Sequence, residues 1–284
     1  MISIQTNVAA LYGLQNLQSN QMHEQNTIEQ MTSGFRINSS ADDPAGLAQA
    51  NQLRNTGAEL TQGVSNGNNA VGQLQIIDGG LNNISQILDR LQTLATEGAS
   101  STFTGSYTTL ANEFVNDVSE ITRQAQNIGM DGSGNFSGGL TVFIGGGLGN
   151  NNGNTIGAPT VTVSFGGTSY SGVDSTGLGL SNYSTSNLSN SANFSAAISV
   201  VAKAVTTLGS VQGNVGAAIN QLGFAVNLAQ SQITNYSAAQ SQIRDANMAQ
   251  EATNLSKSQV LMQSSMAALA QANQIPAGVL KLLQ

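Results

Sequence analysis

The sequence predicts a mainly α protein, a long-helix bundle and coiled coil built from both chain ends, with a small β-hairpin region in the middle. Two apolar tracts and one change of period carry that expectation. Leu60, Val64, Val71, Leu74, Ile77, Leu81, Ile84, Leu88 and Leu91 recur at spacings of three, four and seven and run on to Ala95, the stripe of a helix that packs on other helices. Phe194, Ile198, Val201, Val205, Leu208, Val215, Ile219, Leu222, Val226, Ile233, Tyr236 and Ile243 repeat the pattern near the other end. Between the two, Leu140-Thr141-Val142-Phe143-Ile144 and Thr160-Val161-Thr162-Val163-Ser164-Phe165 are β-branched and aromatic with a period of two, as expected of paired strands.

The elements follow in order. Ile4, Val8 and Leu11 start a weak stripe, continued loosely by Met22, Ile28, Met31 and Phe35 with Gln and Asn between; such a helix is marginal alone and needs a packing partner. Gly34 and the polar run to Ser40 break it. Asp42 and Asp43 then offer an N-cap and a favourable charge for the helix dipole, ahead of Pro44 at the first helical position. A helix over residues 42–98 would be about 80 Å long, a rod rather than a globular helix. Residues 99–105 form a turn-rich connector, and a helix over 106–128 returns with Leu110, Phe114, Val118, Ile121 and Ala125 on one face. The Gly, Asn and Ser of residues 129–139 stop it. Residues 145–154 read as a long hairpin loop, and 166–191, rich in Ser, Gly, Asn and Thr, as the most exposed stretch of the chain. The last tract runs from 191 to about 274 with a pause at 237–242; Met248, Leu255, Val260, Met262, Met266 and Leu269 continue it, and Pro276 bends or ends it before the apolar tail from Val279 to Leu283. The plainest way to bury two amphipathic chain ends is to bring them together.

Composition excludes more than it assigns. Charged residues are 8% of the 284, against about 25% in ordinary globular domains, so copies packed side by side meet little electrostatic resistance. With eight scattered Lys and Arg and a net charge of -7, nucleic acid is not a partner. The chain has no cysteine and one histidine, His23, so thiolate chemistry and a metal site built on several histidines are excluded. His23 reads as a solvated helical residue. Gly145-Gly146-Gly147 lacks the Gly-Lys-Ser/Thr of a phosphate loop. No cofactor, metal or catalytic residue is expected, and the chain is not read as an enzyme. The first 25 residues lack the pattern of a cleaved secretory signal, and no later run reads as long and apolar enough to span a membrane; export would need a signal of another kind.

Residues 1–128 and about 190–284 resemble bacterial flagellin. The resemblance rests on Ser33-Gly34-Phe35-Arg36-Ile37-Asn38-Ser39, on Asp42-Asp43-Pro44-Ala45-Gly46-Leu47-Ala48, on Ser241-Gln242-Ile243-Arg244-Asp245-Ala246-Asn247-Met248-Ala249-Gln250-Glu251, and on Ala268-Leu269-Ala270-Gln271-Ala272-Asn273-Gln274-Ile275-Pro276. It implies a structural subunit that polymerises into the flagellar filament for motility. It also implies three regions: 1–43 with 238–284 as a terminal helical domain that forms the filament's inner tube and is disordered in the monomer; 44–128 with 190–237 as a helical bundle; and 129–189 as a β-hairpin region with a short variable insertion. Self-assembly would draw on Val8, Leu11, Arg36, Leu255, Leu269 and Leu280. The implied partners are other copies of the chain, the flagellar type III export apparatus, an export chaperone and a cap protein, and the implied location is extracellular, in the flagellum. Two alternatives stand beside this: a hook-filament junction protein, similar at both termini, and a filament subunit with an added surface adhesin role. One departure from the family pattern is Gln212-Gly213-Asn214, where many relatives carry Asn-Arg after the Gln. Many flagellins are also bound by an innate immune receptor of the Toll-like family, and Leu88, Arg90, Leu94 and Glu113 keep the residue types of that surface, with Asp89 where relatives often have Gln. Leu88 and Leu94 fit a buried stripe equally well.

Overall fold

The computed structural model describes residues 7–136, 139–145, 160–165 and 172–282, with residues 275–282 described by backbone alone. The predicted loop of 145–154 lies, apart from Gly145, outside the described residues, as do the side chain of Leu280 and residues 166–171. Among the described residues, five helices and one two-stranded sheet occur in the order α1 (Val8–Ser33), α2 (Pro44–Ala99), α3 (Tyr107–Asn127), β1 (Leu140–Phe143), β2 (Thr160–Val163), α4 (Ser191–Arg244) and α5 (Met248–Leu282). The chain divides into two compact units, one of Met1–Asn55 with Asn235–Gln284 and one of Thr56–Thr234.

The Thr56–Thr234 unit is a helical bundle with a hairpin attached. Leu74, Ile77, Leu81, Ile84, Leu88 and Leu91 of α2 meet Leu110, Phe114, Val118 and Ile121 of α3 and Phe194, Val201, Leu208, Val215 and Leu222 of α4, all buried. Phe114 lies edge-on to both Tyr183 and Phe194, the geometry aromatic rings prefer. At the N-terminal part of α2 the stripe departs from expectation: Val64 and Val71 are half-exposed, and Gly63, Gly67 and Ala70 take the inward positions. The reason is close approach. A Cβ on Gly63 would lie 1.6 Å from the backbone oxygen of Ile144, and one on Gly67 would lie 2.6 Å from Val226 Cγ2. Val205, expected in the α4 stripe, is 40% exposed, and Ala204 and Leu208 are turned inward instead.

The strands are antiparallel, with Leu140 opposite Val163 and Phe143 opposite Thr160. Asn66 Nδ2 of α2 donates to the Phe143 carbonyl at 3.1 Å, which ties the hairpin to the bundle. The segment after it corrects the reading of 166–191 as the most exposed stretch: Val173, Leu178, Leu180 and Leu188 are buried. Local turns satisfy the backbone between them, with Gly177 N donating to Asp174 Oδ1 at 2.8 Å and Leu180 N to the Ser175 carbonyl at 2.7 Å. Average composition concealed four well-spaced apolar anchors.

Four expectations about the helices change. The two aspartates before α2 divide their work: Asp43 Oδ1 caps the helix by accepting from Gly46 N at 2.9 Å, whereas Asp42 Oδ2 accepts from Asn38 N at 3.0 Å and Ser39 N at 2.8 Å, closing the preceding turn. The C-terminal tract is interrupted at residues 245–247, not at 237–242, which is regular helix. Helix α5 also continues through Pro276 to Leu282. Finally, α4 contains an 18-residue window with a mean hydropathy of 1.5, long and apolar enough by composition to cross a membrane, with 33% of it buried. Scattered amides had hidden this from the sequence reading.

Candidate functional site

The unit formed by the two chain ends is the candidate site, because its polarity is reversed. Helices α1 and α5 pair with Asn7 opposite Ala272, Gly13 opposite Leu269 and Asn20 opposite Ser265, which makes them antiparallel. At Gly13 a Cβ would come within 3.1 Å of Leu269 Cδ1, so glycine lets the helices approach. Among the described side chains, those they bury are polar: Thr27, Glu251 and Ser258. Many of their large apolar side chains are exposed, with Val8 54%, Leu11 57% and Tyr12 65% exposed, joined by Leu14, Met22, Ile28, Val260 and Met266, while Leu17, Met31, Leu255, Met262 and Leu269 are half-buried. A polar groove of about 570 Å³ runs between them, lined by His23, Gln30, Glu251, Asn254 and Lys257 among others. His23 is exposed.

Asn7 performs two tasks at the start of α1. Its Oδ1 accepts from Ala10 N at 3.1 Å, the N-cap bond, and its Nδ2 donates to the Ala272 carbonyl at 2.8 Å. That carbonyl is the one deprived of its helical donor by Pro276 four residues on. The substitute donor explains how a proline is accommodated where the helix was expected to bend or end.

The junction between α4 and α5 is fastened to the linker after α1. Arg36 N donates to the Arg244 carbonyl at 2.7 Å and Ala246 N to the Gly34 carbonyl at 2.9 Å, a short antiparallel bridge. Arg36 Nη2 donates to the Ile243 carbonyl at 2.8 Å, so a cation meets the C-terminal end of α4, where the helix dipole favours it. The Arg244 guanidinium stacks 4.0 Å from the Phe35 ring centroid. Gly34, at φ 75°, takes the left-handed conformation that ends α1. Burial aside, the Asp42 carboxyl in the same linker is held below its ordinary pKa by the backbone N–H groups of Ser39 and Asn38.

Of the sequence-predicted assembly residues, Val8 and Leu11 are exposed, Leu255 and Leu269 are half-buried, and Arg36 is engaged within the chain. The Phe35–Arg244 stack, Asn7 and the buried Glu251 were not singled out from sequence; an Asn directly before the apolar Val8 was the available signal for a cap, masked by the stripe's apparent start at Ile4. In the other unit, Arg90 pairs with Glu113 and, at 3.1 Å, with Asp117. The Asp117 carboxyl sits above its ordinary pKa because burial and the neighbouring Glu113 and Glu120 outweigh the attraction of Arg90. Leu88 and Leu94 do not join that surface: they are 0% and 7% exposed, buried in the core with Leu91 and Ala95. Among the described residues, no group of three or more His, Asp or Glu side chains gathers to hold a metal.

Comparison with known proteins covers nearly the whole chain. Residues 4–141 match the family model described as bacterial flagellin N-terminal helical region, and residues 198–283 match that described as bacterial flagellin C-terminal helical region. The chain is 30% identical over 291 residues to the flagellar filament 30.7 kDa core protein of Treponema maltophilum and 29% identical over 313 residues to a flagellin of Bacillus subtilis. It is 27% identical over 295 residues to the flagellin FlaB2 of Treponema pallidum; each alignment covers 99% of both chains.

Proposed function

The chain belongs to the bacterial flagellin family, a family of structural filament subunits, and from that premise we propose that its terminal helix pair is the part that docks on neighbouring copies when the filament forms. The observation that supports this reading most is the reversed polarity of α1 and α5, which bury Thr27, Glu251 and Ser258 while Val8, Leu11 and Tyr12 face outward. A thin polar seam does not offset the entropy of ordering about 60 residues, so the pair is ordered against its neighbours and open to proteases in the free subunit. Val8, Leu11, Leu255, Leu269 and Leu280 supply apolar surface to that inner region, and Arg36 sets the linker from which it hangs. The chain carries no catalytic role. It leaves the cell through the flagellar type III apparatus, escorted by an export chaperone and added beneath a cap protein, and works outside the cell. The test is seeded polymerisation: fragments of sheared filament added to purified subunit should elongate in electron micrographs, and limited proteolysis should trim both ends of the subunit while sparing the polymer. Equal resistance of subunit and polymer would defeat the proposal.

A second reading concerns the Toll-like receptor. The Arg90–Glu113–Asp117 cluster favours it, since the Arg90 side chain is 59% exposed and already oriented by two carboxylates. Leu94 is left out of that surface. Arg90→Ala should weaken receptor binding by about 1 to 3 kcal/mol, the cost of truncating an interface arginine, with the unfolding of the subunit unchanged.

A further inference from the structure

We infer that a cavity between the turns after β2 and the start of α4 is a binding site for an uncharged pyranose sugar. Residues 172–190 are anchored by Leu180 and Leu188, both fully buried. Between this segment and the first turns of α4 lies a cavity of about 260 Å³, lined by Asn182, Tyr183, Asn187, Asn193, Ala196 and Val200 among others. Its volume falls just below the roughly 300 to 1,000 Å³ of pockets for drug-sized ligands, so it suits a single ring.

The walls are held in place by the chain itself. The Tyr183 ring meets the buried Phe114 edge-on, with 5.9 Å between centroids. Asn187 Nδ2 donates to the Asn182 carbonyl at 2.6 Å, and Asn193 Nδ2 donates to the Asn187 carbonyl. Both amides are thereby oriented, yet each keeps an Oδ1 that has no hydrogen-bond partner among the described residues; the same holds for the Asn182 amide and the Tyr183 hydroxyl. Such groups meet ligand hydroxyls well, because a hydroxyl both donates and accepts and an amide offers both functions. The C–H groups on the face of a pyranose ring pack against the electron-rich face of an aromatic ring. No residue from 175 to 202 is charged, so an ionised ligand would lose its hydration here without a counter-charge. That selects neutral sugars over acidic sugars and nucleotides. A ligand this small binds at about millimolar level. In a polymer the site would recur on every subunit, and multivalency raises retention on a glycan surface by about 10² to 10⁴; this gain, unlike the site, rests on the filament function.

The test is saturation-transfer NMR on the purified full-length subunit with methyl glucopyranoside, methyl galactopyranoside and N-acetylglucosamine, and with glucuronate as the charged counterpart. At least one neutral sugar should bind at about millimolar concentration, and glucuronate should not. Tyr183→Ala should weaken binding by about tenfold or more. Because that change also removes a contact with Phe114, the deciding variant is Ala196→Leu. It fills the cavity from an exposed position of α4 and should abolish binding with thermal unfolding unchanged. Absence of binding by all three neutral sugars, undiminished binding to Ala196→Leu, or glucuronate binding as well as the neutral sugars would each overturn the assignment. None of these outcomes bears on seeded elongation, so the filament function stands or falls separately.

Discussion

The two units of this chain are built from the same kind of residue to opposite plans. In the Thr56–Thr234 unit the apolar stripes of α2, α3 and α4 close on one another, and Phe114, Leu81, Ile84 and Leu222 are inaccessible to solvent. In the terminal unit α1 and α5 meet through Thr27, Glu251 and Ser258 and leave Leu11, Tyr12 and Val260 outside. The first plan gives a body that is stable by itself, since each buried large apolar side chain contributes about 1.5 to 3 kcal/mol. The second gives a body whose apolar area counts only when another molecule covers it. The function proposed for the terminal pair accordingly assigns docking to the second body and stability to the first.

Substitutions in the two units should separate those properties. The largest effect is expected from Leu269→Asp, which sets a charge against α1 at the Gly13 crossing: seeded elongation should be abolished, while the unfolding transition of the Thr56–Thr234 unit stays where it was. Elongation at the normal rate would mean that the terminal pair does not assemble through this crossing. The reciprocal case is Phe114→Ala, which empties the aromatic centre of the bundle and should cost about 3 to 5 kcal/mol by denaturant titration.

A finer contrast compares two helical glycines in α2. Gly63→Ala forces a methyl into the Ile144 carbonyl and should destabilise by about 1 to 3 kcal/mol as an overpacked site. Gly57→Ala meets nothing within 4 Å and should stabilise by up to about 1 kcal/mol through helix propensity. Equal effects would show that the hairpin is not seated on Gly63.

The smallest effect concerns acid. The pKa of Asp42 is lowered in the folded chain by the N–H groups it accepts from Ser39 and Asn38. The turn it closes is therefore fully supported above the unfolded-state pKa and loses that support as pH falls through the lower folded-state value. Protease cleavage between α1 and α2 should rise over that acid range in the native chain, and Asp42→Asn should show the raised cleavage already at neutral pH. A cleavage rate that does not differ between the two would remove Asp42 from the linker's support.

The helical class, the return of α3, the antiparallel strand pair and the flagellin resemblance were all legible in the sequence, because 3.6-residue and two-residue periods follow directly from backbone geometry and are written in side-chain polarity. Three things were decided by tertiary structure. Gly63 and Gly67 replaced Val64 and Val71 on the inward face because a strand end and α4 come too close there for a side chain, a distance that no local pattern records. Pro276 stayed inside α5 because Asn7, distant in sequence, donates to the carbonyl the proline leaves unpaired. The outward direction of Val205 was equally hidden: an apolar residue in a stripe registers as core until the partner on that side is located, and here Ala204 and Leu208 take the inward places instead.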